Sequence, residues 1–237
     1  MIFCLVVGVM SVMSIVGMIA SSSATKDVAD NTVFVIDLNG QLQERAEDDI
    51  MAVLSGGRTD VIGLDDLLLA IKKAKNNDKV KGIYIQSGLF VSDSYASLQA
   101  VRKALVDFKK SGKWIVAYGD VYTQATYYLS SVADKVYLNP SGQVEWSGIC
   151  SQTMFVKDLM AKFGVKMQVV KVGAYKSATE IFTGDKMSDA NKEQVSAFIN
   201  GIWNTVCTDV AKSRKVTVAQ PVSYTHLRAH ETTLHLV

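Results

Sequence analysis

The stretch Val172-Gly173-Ala174-Tyr175-Lys176-Ser177-Ala178 sets a lysine among small residues and a tyrosine, directly after an apolar run. An amine taken out of water loses its proton more readily, and a neutral lysine is a base near neutral pH. Lys176 is therefore the candidate general base. The ordinary alternative is a surface lysine closing a strand, since buried lysines are rare. Histidine narrows the choice. The sequence holds only His226, His230 and His235, all within its last dozen residues. A Ser-His-Asp triad or Cys-His dyad in the body of the chain is excluded, and proton transfer there falls to Lys, Asp, Glu or Tyr. His226 and His230 could share one face of a helix, but a third metal ligand is lacking. Cys4, Cys150 and Cys207 are too scattered for a disulfide framework or a metal site, and read as small buried hydrophobes. A net charge of +2 argues against nucleic acid as a partner.

The elements that must position Lys176 follow from hydrophobic spacing. Residues 32–38 (TVFVIDL) read as a strand ended by the turn signal Asn39-Gly40. Residues 41–58 are polar and read as an exposed loop. Leu64, Leu67, Leu68 and Ile71 mark one face of a helix over 63–75. A strand over 80–86 ends at Ser87-Gly88. Tyr95, Leu98, Val101, Leu105 and Phe108 give a helix over 94–110. Strands at 114–118 and 135–138 flank a loop and short helix over 119–131. A helix over 153–163 turns Phe155, Leu159 and Phe163 inward. A strand over 166–172 (KMQVVKV) delivers the lysine motif. Ser188 caps the last helix, whose stripe is Val195, Phe198, Ile199, Ile202, Val206 and Val210. Strands alternating with helices imply an α/β fold of βαβ units with a mainly parallel sheet. No G-x-G-x-x-G or Walker pattern follows a strand, so no nucleotide cofactor is expected.

The ends differ from the body. An apolar fraction of 49% with 20% charged residues fits a globular domain plus a membrane segment. Residues 1–20 are uncharged and long enough for one transmembrane helix, with a cleaved signal peptide as the alternative. Residues 21–31 form a polar linker, and residues 32–218 form the domain. From 219 to 237 the character changes. The string Val222-Ser223-Tyr224-Thr225-His226-Leu227-Arg228 resembles translated adapter read-through and reads as a non-native tail.

The lysine motif, continued by Glu180, Phe182 and Met187-Ser188, resembles that of signal peptide peptidase A, the long bacterial form also called protease IV. Residues 119–129 (GDVYTQATYYL), Ala133-Asp134-Lys135 and Asn139-Pro140-Ser141 fit the first of that family's two repeats. The resemblance implies a ClpP/crotonase-like fold and Lys176 as the general base of a Ser-Lys endopeptidase degrading cleaved signal peptides. It implies a single-pass protein of the bacterial cytoplasmic membrane, its catalytic domain on the periplasmic face, working as a homo-oligomer without a cofactor. The nucleophilic serine is expected on a C-terminal domain missing from this chain. Gln124 stands in the serine's place, so the fragment alone is expected to be inactive. Ser130, Ser131 and Ser177 are nearby hydroxyls better suited to local backbone bonding. Gly88 lies where this fold can place oxyanion-binding amides, although a turn suits it better. The alternatives are a membrane-tethered assembly domain without catalysis, or a crotonase-type acyl-CoA enzyme.

Overall fold

A computed structural model describes residues 28–46 and 61–222. The expected anchor, most of the linker and most of the tail lie outside these. No helix among the described residues is long and apolar enough to cross a membrane.

Five parallel strands form one sheet in the order β2-β1-β3-β4-β5. They are β1 (Thr32–Gln43), β2 (Val61–Gly63), β3 (Val80–Ser92), β4 (Trp114–Tyr122) and β5 (Lys135–Val144). Helix α1 (Leu64–Asn76) follows β2, α2 (Tyr95–Lys109) follows β3, and α3 (Gln124–Ser130) follows β4. The expected βαβ alternation is present.

Period-two side-chain alternation puts Ile36, Leu38, Ile83, Ile85, Ile115 and Ala117 on one buried face. Leu67 and Ile71 of α1 join this core, as do Leu98, Val101, Leu105 and Phe108 of α2. The other face is open: Val35 and Tyr137 are half exposed, and Trp114 and Tyr118 only slightly less. Parallel sheets are ordinarily covered on both sides, so this face is unusual. Trp114 stands over Gly82, where an added Cβ would lie 2.3 Å from the indole.

The turn signals Asn39-Gly40 and Ser87-Gly88 do not end their strands. β1 runs on to Gln43 and β3 to Ser92, with the pairing slipping between Leu38 and Gly40. Gly40 takes φ 87° there, so the glycine serves a bulge inside the ladder instead of a turn. Cross-strand hydrogen bonds and burial of Leu42 and Phe90 outweigh the local preference.

Past β5 the chain changes. Helix α4 is confined to Lys157–Lys162, and α5 is a single turn, Glu180–Thr183. The last helix, α6, spans Asp189–Arg214. Between Trp146 and Trp203 the only buried residues are Glu180 and Asn191. The expected helix over 153–163 is thus shorter, and Leu159 and Phe163 face solvent instead of a core. The stripe of α6 is buried at Val206 and Val210, but Phe198 is exposed. Residues 166–172 form no strand: no sheet partner adjoins them, and Val170 and Val172 are almost fully exposed. A strand needs a ladder for its backbone groups, and this segment finds none within the described chain. We call residues 147–202 the arm.

Candidate functional site

The lysine motif occupies a turn in the arm. Gly173 takes φ 100°, and Lys176 N–H reaches back to the Gly173 carbonyl at 3.4 Å. A Cβ at Gly173 would meet only Lys176 Cγ, at 3.9 Å. Glycine is needed for its backbone angle, then, and not for space. The Lys176 side chain is exposed, and among the described residues its amine has no hydrogen-bonding or ion-pairing partner. The covering that would desolvate it is not supplied by this part of the chain.

Both flanks of Lys176 are tied to the start of α6. Tyr175 Oη donates to Glu193 Oε2 at 2.9 Å, and that carboxylate raises the phenol's pKa. Glu180 is 6% exposed and uses both oxygens. Oε1 accepts from Ser188 Oγ at 2.6 Å, and Oε2 from Ser188 N–H at 3.2 Å and Asn191 Nδ2 at 3.0 Å. The Lys171 ammonium lies 3.7 Å from Oε1. These donors, Ser188 foremost, hold the Glu180 carboxyl below its ordinary pKa against the opposing effect of desolvation. Ser188 is also the N-cap of α6, accepting from Asn191 N–H at 3.2 Å. The cap was legible in the sequence. Its second partner, Glu180, was missed, because a carboxylate before the cap residue fits no capping pattern; only its place in the motif marked it.

Gln124 opens α3 behind the N-cap Thr123. Its carboxamide is fully engaged. Nε2 donates to Tyr95 Oη at 2.7 Å and to the Gly148 carbonyl at 3.3 Å, while Oε1 accepts Gly148 N–H at 2.9 Å. Gln124 thus pairs with the Gly148 backbone as a neighbouring strand would, fixing the segment after β5. An amide side chain has no nucleophilic oxygen, so this position builds structure.

The serines near it are equally unsuited to attack. Ser130 and Ser131 are fully buried. Ser131 Oγ donates to the Tyr128 carbonyl at 2.9 Å, and Ser130 Oγ has no partner among the described residues. Ser177 is half buried, its carbonyl taken by Glu180 N–H at 2.9 Å. Gly88 has a steric role: an added Cβ would lie 2.0 Å from Asn39 Oδ1. Asn39 Oδ1 already accepts the next amide, Leu89 N–H, at 3.1 Å, so that donor is not free for an oxyanion. The turn expected at Gly88 is a close approach inside β3.

Two networks join the helix of Gln124 to the helix that carries the lysine turn. Arg102, 3% exposed, donates to the Tyr128 carbonyl and to Ser131 Oγ on the α3 side. It also donates to the Asp209 carbonyl and Ser213 Oγ of α6, each at 2.7 Å. Its guanidinium stacks 4.6 Å from the Tyr128 ring centroid, and Tyr128 Oη donates to Asp209 Oδ2 at 2.6 Å. Burial lowers the pKa of Arg102, with Tyr128 and Asp209 opposing it. The second network is aromatic: Tyr127, Trp146 and Trp203 follow at centroid distances of 5.6 and 5.1 Å.

Cys207 is buried, which pushes its thiol up to about 11. Cys150, expected to be buried, is exposed. No cluster of metal-ligating side chains occurs among the described residues, and His226 and His230 lie outside them. Two open depressions adjoin the carboxyl ends of the strands. One, of about 300 Å³, is lined by Asp120, Asn139 and Gln143; the other, of about 410 Å³, by Gln43, Asp93 and Ser97. Lys176 lines neither.

The profile of peptidase family S49 matches residues 107–231, just over half of the 237-residue chain. The chain belongs to peptidase family S49. Gln124, Lys176 and Glu180 all fall inside the matched S49 region. "Protease 4" of Salmonella typhi is 36% identical over 166 residues, covering 70% of this chain and 27% of that protein. "Protease 4" of Haemophilus influenzae is 29% identical over 214 residues, covering 86% and 35%. The chloroplastic serine protease SPPA of Arabidopsis thaliana is 26% identical over 177 residues, covering 75% and 25%. The chain thus spans about a quarter to a third of the length of these S49 relatives. An enoyl-CoA hydratase/isomerase family protein from Silicibacter pomeroyi superposes with a TM-score of 0.32 at 13% identity, over 87% of this chain and 99% of its own, too low to assign a shared fold.

Proposed function

We propose that this chain belongs to the lysine-bearing N-terminal half of a membrane-anchored Ser-Lys endopeptidase of family S49, with a ClpP/crotonase-like fold, that degrades cleaved signal peptides. Lys176 is the general base, and the nucleophilic serine belongs to a C-terminal domain beyond this chain. The observation that carries this reading is the pairing of an exposed, backbone-fixed Lys176 with a serine position filled by Gln124. Among the described residues no hydroxyl lies within hydrogen-bonding reach of the Lys176 amine.

In the assembled peptidase the neutral Lys176 amine takes the proton of the serine hydroxyl as its Oγ bonds to the scissile carbonyl carbon. The ammonium returns that proton to the leaving amine, and water then cleaves the acyl ester with the amine again as base. Docking of the serine domain over the turn supplies the desolvation that keeps Lys176 neutral. The proposed setting is the periplasmic face of the bacterial cytoplasmic membrane, in a homo-oligomer, with residues 1–20 as anchor.

The test expresses residues 28–222 alone and together with the serine-bearing domain, and assays cleavage of an apolar peptide. The chain alone is expected to be inactive and the combination active, with activity lost in Lys176→Ala. Cleavage by residues 28–222 alone that survives Lys176→Ala overturns the assignment. Full activity of the combined Lys176→Ala protein points to a scaffold role instead.

A further inference from the structure

We infer that Glu180 is a positioning residue: it closes the loop that presents Lys176 and holds it on the first turn of α6. This rests on the reading of Lys176 as the general base. Residues 171–180 form a loop whose two ends meet at one carboxylate. Lys171 approaches Glu180 Oε1 at 3.7 Å from the beginning of the loop, and Glu180 itself is the end. Lys176 lies between them. The Lys171 side chain is 43% exposed, so that contact is screened and weak. The stronger hold is the set of three hydrogen bonds from Ser188 and Asn191.

The burial pattern separates this carboxylate from an ordinary surface cap. Glu180 and Asn191 are the only buried residues between Trp146 and Trp203, while Met154, Phe163, Val170 and Phe198 are exposed. The arm leaves several large apolar side chains in solvent and keeps a carboxylate inside. A polar cluster is a poor source of stability, but it fixes a geometry where apolar contacts would tolerate sliding. The ordering is directional too. Ser188 Oγ gives its only proton to Glu180, which leaves a lone pair to receive Asn191 N–H. Glu180 therefore sets the hydroxyl orientation that caps α6. The Tyr175–Glu193 bond then fixes the residue beside Lys176 to the same helix, one turn further along. Lys176 is bracketed by two tethers to one rigid element, as a base needs if its amine is to meet a hydroxyl on another domain.

The test compares Glu180→Ala, Glu180→Gln and Lys176→Ala in the peptidase combined with its serine-bearing domain. Misplacing a reacting group costs on the order of 10²-fold in rate. Glu180→Ala is thus expected to lower kcat by about that factor with KM nearly unchanged. Glu180→Gln keeps an acceptor for Ser188 and is expected to regain at least about tenfold of the loss. An active Lys176→Ala sinks the base reading itself. An inactive Lys176→Ala beside an undiminished Glu180→Ala sinks only the positioning role. Hydrogen exchange in residues 28–222 decides the matter if Glu180→Ala does not combine with the serine domain. The amides of Lys176 and Asn191, bonded to the Gly173 carbonyl and to Ser188 Oγ, are expected to exchange at least about tenfold faster while Val80–Ser92 is unchanged. Unchanged exchange at both amides, or equal loosening of Val80–Ser92, overturns the inference.

Discussion

Replacing Arg102 with leucine removes a buried charged side chain that spans α2, α3 and α6. Its guanidinium donates four hydrogen bonds at 3% exposure, so water does not substitute for the lost donors. Deleting one partner of a buried charged network costs about 3–5 kcal/mol. Two facts place this case at the low end. The Asp209 side chain is 34% exposed and rehydrates, and the Tyr128 carbonyl keeps its bond from Ser131 Oγ. The expected loss is about 3 kcal/mol, or a Tm drop of about 6–12 °C for a domain of this size. Arg102→Lys should recover less than half, because an ammonium cannot replace a planar fork facing two helices. The assay is urea and thermal unfolding of residues 28–222 followed by circular dichroism. Lys103→Leu on the exposed side of the same helix serves as control, within about 0.5 kcal/mol of the parent. An Arg102→Leu protein within about 1 kcal/mol of the parent refutes the view that this network clamps α6 to the sheet domain.

Other outcomes follow from named contacts. Lys176→Ala alters an exposed, unpaired side chain and should leave the Tm of residues 28–222 within about 1 °C. Gly82→Ala drives a methyl into Trp114 and should cost about 1–3 kcal/mol, with a change in tryptophan emission reporting the displaced ring. Gln124→Ala frees the Gly148 backbone and should raise hydrogen exchange at Gly148. Asp134 gives a pH test. Desolvation raises its carboxyl, but Lys109 at 2.7 Å and the Ile115 amide at 2.9 Å pull it down further, to a net position below its ordinary value. A folded pKa below the unfolded one contributes stability that is present above about pH 4 and fades as the pH falls through the folded value. The gap in urea midpoint between the parent and Asp134→Asn should therefore shrink from pH 7 to pH 3. A constant gap contradicts the assigned shift.

The sheet domain was legible because its signals are local and agree. Ile83 and Ile85 alternate with Tyr84 and Gln86, and Leu98, Val101, Leu105 and Phe108 repeat at helical spacing. What failed was local chemistry overruled by distant partners. Asn39-Gly40 and Ser87-Gly88 are turn pairs, yet β1 and β3 pair straight past them as far as Leu42 and Ser92. The arm failed the other way. KMQVVKV has the composition of a strand, and Leu159 and Phe163 the spacing of a helix face, but neither meets a partner here. Lys176 stood out because its motif is contiguous. Arg102 did not, since its partners lie 26 to 111 residues away. Glu180 fell between: its position was noted, but its bonds to Ser188 and Asn191 appear only once the chain has turned.

The strand order carries a consequence for how the molecule is made. Apart from the three-residue β2, each new strand joins the edge left by the one before it: β3 on β1, β4 on β3, β5 on β4. Parallel pairs form slowly, because each must wait for its crossover. Here no strand waits for a later neighbour. The sheet can grow vectorially as the polypeptide emerges N-terminus first, and among the described residues its last strand ends at Val144, before the Lys176 segment has emerged. Among the described residues β5 is the edge strand, and Lys135 and Pro140 make it a poor template for further pairing. The scaffold is thus standing before the arm that carries the lysine is added to it.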